Sequence, residues 1–204
     1  SVYDPLSGKV YFHSPSGKLL EFDYVANTWT PRSLGLPRVQ DQTVLVDTKR
    51  HRLVFAGGGK LYSIDMTLMG NVTMQDKTPS VTGDTVVVGG RRPGWVYDVE
   101  QNIYTLYSSD VHAPGEVAVM DPDTWRIKAI PPSGGIAPEP CVKQGNPPVK
   151  CNSTYNKFAY IGNGLYSYIP TSLTQPVWFY HLDPAAVALA LGRLPAPGNL
   201  RIDQ

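Results

Sequence analysis

Residue types able to do chemistry are few in this 204-residue chain, and they are scattered. Histidine occurs as His13, His51, His112 and His181, with no two at a metal-binding spacing. Neither HExxH nor GxSxG occurs, so the common zinc-protease and serine-hydrolase signatures are missing. The two cysteines, Cys141 and Cys151, lie in CVKQGNPPVKC. Their spacing is wide for zinc, and no third or fourth ligand sits beside them. A disulfide is the expected use, with two free thiols as the alternative. Closing so short a loop contributes roughly 2–3 kcal/mol in the chain-entropy model. Asp4, Asp23, Asp47, Asp65, Asp98, Asp121 and Asp183 recur along the chain. Paired carboxylates could cleave a glycosidic bond if folding brought two together. Recurrence at like positions argues instead for turns, in which an aspartate accepts hydrogen bonds from nearby backbone N–H groups. These residues imply no metal and no cofactor.

The elements that carry them are short strands. The stretch VDTKRHRLVFAGGGKLYSID, residues 46–65, reads as strand, polar turn, strand, glycine turn, strand. Leu53, Val54 and Phe55 fill one strand and Leu61, Tyr62 and Ile64 the next, as in an antiparallel sheet. The same unit starts at YDPLSGKVYF, YDVEQNIYTL and CNSTYNKFAY, with Asp4, Asp47, Asp98 and Asn152 at one repeat position. Repeats of about 40 to 50 residues with several strands each point to propeller blades. The expected fold is all-β: a β-propeller of four-stranded antiparallel blades, at residues 1–34, 42–75, 95–130 and 149–191. It occupies one domain, residues 1–194. A β-sandwich with similar hairpins is the competing architecture.

Composition bounds the function. Eighteen basic and 17 acidic residues leave a formal charge of +1, with 42% of residues hydrophobic. Near-neutral charge argues against nucleic acid as a partner. No run of about 18 apolar residues exists, so no helical membrane span is expected. Nineteen glycines and 19 prolines suit a turn-rich β fold. The chain opens directly in a strand pattern at Ser1, as a mature form or part of a longer protein would. Two sequons, at Asn71 and Asn152, are glycosylation expectations for a secreted protein. With the cysteine pair they favour an extracellular or cell-surface location.

Several local expectations follow. Residues 77–94 form an insertion in which Val86, Val87 and Val88 could add a strand. Residues 185–191, AVALAL with flanks, compose well as a helix but are assigned to an outer strand by the logic of the repeat. Trp29 and Trp125 are expected to be buried between neighbouring sheets. Residues 195–204 read as a linker, and Asn199-Leu200-Arg201-Ile202 resembles the opening of a fibronectin type III module.

Gly57-Gly58 after a second strand, Tyr62 in the third, and the pairs Asp23 with Trp29 and Asp121 with Trp125 resemble the kelch repeat of the galactose-oxidase-like propeller class. The resemblance covers most of the chain. It departs where His13-Ser14, Ser108-Ser109 and Gly162-Asn163 replace the glycine doublet, and where no tryptophan follows Asp183. It implies blades whose first strand lies nearest a central axis. Such propellers usually have six or seven blades, so the four units close on themselves or form part of a larger ring. A copper site of that class needs two tyrosines, two histidines and a cysteine joined to a tyrosine. Both cysteines here share one loop and suit each other better.

The resemblance also implies that loops joining second to third strands share a face with those joining blades. These are residues 13–17, 57–59, 108–115 and 162–175, with 32–40, 77–94 and 131–150 between blades. That face would carry Arg38, Gln40, Arg91, Arg92, Asp110 and His112 as candidate binding residues. The expected function is a non-catalytic extracellular module that binds a protein or glycan, self-assembles, or joins further domains of its polypeptide. A galactose-oxidase-like or carbohydrate-active enzyme domain is the alternative.

Overall fold

The computed structural model describes residues 1–14, 16–34, 36–37, 42–68, 70, 72–85, 88, 93–107, 116–131, 142–143, 149–150, 157–169 and 176–193. The chain is mostly β, with four antiparallel sheets of three to five strands following one another in sequence. The first holds β1 (Val2–Asp4), β2 (Lys9–His13), β3 (Lys18–Asp23) and β4 (Thr28–Leu34) in that order. The second holds β5 (Thr43–Asp47), β6 (Arg52–Gly57), β7 (Lys60–Asp65) and β8 (Gln75–Asp76). β9 (Thr82–Gly83) then runs parallel to the outer edge of the third sheet. That sheet is built from β10 (Gly94–Asp98), β11 (Ile103–Tyr107), β12 (Val117–Met120) and β13 (Arg126–Ile130). A ribbon of β14 (Val142–Lys143) and β15 (Val149–Lys150) follows. The fourth sheet holds β16 (Phe158–Gly162), β17 (Leu165–Tyr168) and β18 (Trp178–His181), and helix α1 (Pro184–Leu191) comes after it.

One turn chemistry builds most of the hairpins. An aspartate ends a strand, and its Oδ1 accepts from backbone N–H groups two or three residues on. Asp23, Asp98 and Asp121 each take two such bonds, at 2.8–3.0 Å. The residue four places after the aspartate is left-handed: Gly8, Asn27, His51, Asn102 and Trp125 have φ of 68, 52, 45, 51 and 58°. Glycine and asparagine suit this position; a tryptophan there is strained and must be held by its surroundings. The expected structural use of the recurring aspartates is therefore what the fold shows.

The count of four separates the two tryptophans. Trp125 occupies the left-handed turn position, equivalent to Asn27, and is buried. Trp29 lies two residues further, on β4, with its ring tilted against Phe22 at 4.8 Å between centroids, and is 56% exposed. The expected burial holds for Trp125 and fails for Trp29, because the face of the first sheet that carries Trp29 has no sheet against it among the described residues.

Alternation along the strands creates three apolar cores, one between each successive pair of sheets. Tyr11 and Leu19 meet Leu53, Phe55 and Ile64 between the first two. Val54 and Leu61 meet Tyr104, Leu106 and Met120 between the second and third. Tyr107 and Val119 meet Phe158, Tyr166 and Tyr168 between the third and fourth.

The fourth unit departs from expectation twice. Residues 184–191 are helical, not an outer strand. Asp183 caps the first turn by accepting from the Ala185 N–H at 2.9 Å, Pro184 starts the helix, and left-handed Gly192 ends it. These caps, added to alanine and leucine propensity, outweigh the pattern of the repeat. Val187 and Leu191 seat the helix in the third core. Moreover, β16 lies beside β10 and so takes the first-strand place. The Gly162–Gly164 turn thus sits with the aspartate turns, where Asn163 N–H donates to Glu100 Oε2 at 2.9 Å. It is not on the expected binding face.

The insertion forms its extra strand at Thr82–Gly83, earlier than expected. Val86 and Val87 lie outside the described residues, and Val88 is buried in the second core without being a strand. Among the described residues no helix is long and apolar enough to cross a membrane.

Candidate functional site

The first strands of the four sheets, β1, β5, β10 and β16, stand side by side, and a groove of about 490 Å³ runs along them. Its wall is made by Tyr3, Val44, Val46, Trp95, Tyr97 and Tyr160, among others, and no acidic, basic or imidazole side chain of the described residues lines it. Tyr3 is half exposed there. Tyr97 donates its hydroxyl to Asn102 Oδ1 at 3.0 Å, which fixes the ring. Such a surface offers ring faces and hydroxyls to a ligand.

Polar groups are concentrated in the seams between sheets, away from the groove. In the first three sheets the second oxygen of the aspartate that ends the first strand reaches the next sheet. Asp4 Oδ2 pairs with His51 Nε2 at 2.9 Å. Asp47 Oδ2 accepts from the Tyr104 hydroxyl at 2.5 Å, and Asp98 Oδ2 from the Tyr166 hydroxyl at 2.5 Å. Tyr104 and Tyr166 hold the same place in their sheets, opposite Tyr97 and Tyr160. One aspartate thus closes its own turn and latches the following sheet.

Around Asp47 the latch grows into a cluster. Arg52 donates to the Tyr104 hydroxyl from Nε at 2.9 Å and to Pro122 O at 2.6 Å, and it lies 4.4 Å from the centre of the Trp125 ring. Arg50 bonds Asp47, Asp123 and Asn102. Burial pushes the Tyr104 and Tyr166 hydroxyls far up, out of reach of neutral pH. Burial raises Asp4 as well, but the Ser7 hydroxyl, His51 and the Leu6 N–H outweigh it and hold the carboxyl below its usual range. The cluster that most resembles an active site is in this way fully committed to joining two sheets.

A second hollow, of about 500 Å³, lies where α1 meets the third and fourth sheets, lined by Glu100, Gln101, Asn163, Val187 and Arg193. Its charges are also engaged. Arg193 binds Asp121 and the carbonyls of Gln101 and Asn102, and Glu100 holds Asn163. His13 packs edge-on against Phe55 at 5.2 Å, and burial lowers its pKa, so its ring stays neutral. Among the described residues no three metal-ligating side chains come together.

The sequence-derived binding residues Arg38, Gln40, Arg91, Arg92, Asp110 and His112 all lie outside the described residues, as do Cys141, Cys151, Asn71 and Asn152. The groove and the latches were missed by reading motifs. The signal for the latches was present: each of Asp47 and Asp98 is answered by a tyrosine at a fixed place in the next unit's second strand. The groove residues have no such mark, being ordinary strand residues. No family model matches this chain, and no curated protein matches it.

Proposed function

We propose that the four sheets are blades of a kelch-like β-propeller that serves as a non-catalytic, extracellular binding and scaffold module. The observation that carries this reading is the placement of β1, β5, β10 and β16 side by side along one groove, with each sheet running outward in strand order. The engagement of every recurring aspartate in turns and latches supports binding over acid–base chemistry. An uncharged, tyrosine-bearing groove favours a neutral glycan over a charged peptide. The two-stranded ribbon β14–β15 is flanked directly in sequence by Cys141 and Cys151, which supports a disulfide closing its base. Such a bond, with the sequons at Asn71 and Asn152, fits an extracellular setting.

The test is a binding screen of the purified chain against soluble neutral and acidic polysaccharides, with metal analysis and a sugar-turnover assay on the same sample. Saturable binding to a neutral polysaccharide that weakens when Tyr3 is replaced by Ala is expected. Stoichiometric copper, or turnover of a sugar, would overturn the reading.

A further inference from the structure

One place near the end of each second strand points into the seam with the following sheet. Nine residues after Asp4, Asp47 and Asp98, it holds His13 in the first sheet, Ala56 in the second and Tyr107 in the third. Ala56 and Tyr107 are buried in the second and third cores. Neither gains a charge near neutral pH: alanine has none to gain, and burial pushes the Tyr107 hydroxyl up to about 12. His13 alone of the three is an imidazole. Its ring packs edge-on against Phe55 of the second sheet at 5.2 Å. Its Nε2 is sealed from solvent and has no hydrogen-bond partner. A neutral ring can leave that nitrogen unprotonated. A protonated ring must place an N–H and part of its positive charge there, against apolar carbon.

The surroundings give that charge no counter-ion among the described residues. Leu19 of β3 pairs with His13 in register, and Phe55 and Val44 face it from the second sheet. Glu21, further along β3, is spent on Lys9, Tyr11 and Arg32. Tyr11 and Tyr62 add only phenol groups to this core. Lys18 of β3 is exposed, and Lys60 of β7 is exposed beside Asp76 of β8. The charge that acts on His13 is the Ser1 amino group, which has the same sign as an imidazolium. Asp4, His51 and Asp65 lie at the opposite end of the seam. Burial raises the Asp4 carboxyl, but the Ser7 hydroxyl, His51 and the Leu6 N–H hold it below the usual range, so its bond to His51 outlasts mild acid.

We propose that the seam between the first and second sheets is an acid-sensitive hinge: protonation of His13 parts the sheets at the Phe55 end, while the Asp4–His51 latch keeps them joined at the other. Burial keeps the ring neutral while the seam is closed, so opening takes up a proton and is favoured as pH falls through the ordinary imidazole range. The second and third seams, with Ala56 and Tyr107 at this place, stay closed.

Two amides report on this. The Val72 N–H donates to the Arg32 carbonyl at 3.0 Å, tying the segment after β7 to the first sheet, and the Asp84 N–H donates to the Ile127 carbonyl of the third sheet at 3.0 Å. Hydrogen exchange of the whole chain at about pH 7.5 and about pH 5.5, taken as protection relative to an unstructured peptide at the same pH, compares the wild type with His13→Phe and His13→Gln. Wild-type protection at Val72 should fall severalfold at the lower pH, with about tenfold as the limit one unit below an ordinary imidazole pKa of about 6.5. Protection at Asp84 should stay within about twofold. Both variants carry a neutral side chain and should lose the pH dependence at Val72; His13→Gln gives the same reading where the bulk of phenylalanine prevents folding. Protection at Val72 that does not change with pH in the wild type, an equal fall at Asp84, or a folded variant that keeps the wild-type pH dependence would overturn the proposal.

Discussion

Replacing Tyr104 by Phe removes one oxygen from the seam between the second and third sheets and nothing from its packing. The lost hydroxyl donates to Asp47 at 2.5 Å and accepts from Arg52 at 2.9 Å. Asp47 is fully buried, so its charge depends on protein partners. A hydrogen bond to a charged group is worth about 1.5–3 kcal/mol. Asp47 keeps Arg50 at 3.1 Å and Arg52 at 3.2 Å, so it is weakened without being left alone. The middle of that range, about 2 kcal/mol, is the expected loss. For a chain of this size that lowers the melting temperature by roughly 4–8 °C.

The assay is urea unfolding of wild type, Tyr104→Phe, Asp47→Asn and the double variant, with Tyr97→Phe as control. The Tyr97 hydroxyl donates to the Asn102 amide and lies against the Arg50 guanidinium but does not bond the buried Asp47 carboxylate, so its removal should cost about 0.5–1.5 kcal/mol. Asp47→Asn should cost about 3–5 kcal/mol, since it leaves the two arginines without their buried counter-ion. A coupling of at least about 1 kcal/mol between positions 47 and 104 is expected. Additive single effects, or a Tyr104 loss no larger than that of the control, would show that the latch does not hold the sheets.

Trp125→Ala should destabilise by about 3–5 kcal/mol, the range for a buried large aromatic, while Trp29→Ala in the dilute monomer should stay within about 1 kcal/mol; equal losses in chemical denaturation would refute the turn assignment. Gly83→Ala should detach β9, because a Cβ there would lie 2.2 Å from the Ile127 carbonyl oxygen at a φ of +90°; Gly8→Ala meets nothing within 4 Å and should cost only about 1–2 kcal/mol of left-handed strain. Stability should fall in two steps on acidification: first below about pH 6.5, where the unfolded chain protonates His13 while burial keeps the folded ring neutral, and again below about pH 4. Asp4, Asp65 and Asp121 are all held below the usual carboxylate range, so the unfolded chain takes up protons first. Stability that rises on acidification, followed by melting temperature, would contradict this sign.

The hairpins were legible because alternation and turn chemistry act over a few residues. β2 and β3, β6 and β7, and β11 and β12 all fall where apolar runs and aspartate turns place them. Spatial order across the seams was less legible. The Gly162-Asn163-Gly164 turn could serve either end of a sheet, and its packing against Glu100 and Gln101 decides which. The repeat points to a strand at residues 184–191, whereas the Asp183-Pro184 and Gly192 caps dictate the helix that forms there. Trp125 was aligned by its neighbourhood with Asp121, when its distance of four residues marks a turn. The groove remained invisible, since its wall is a set of inner-strand residues drawn from four separate repeats.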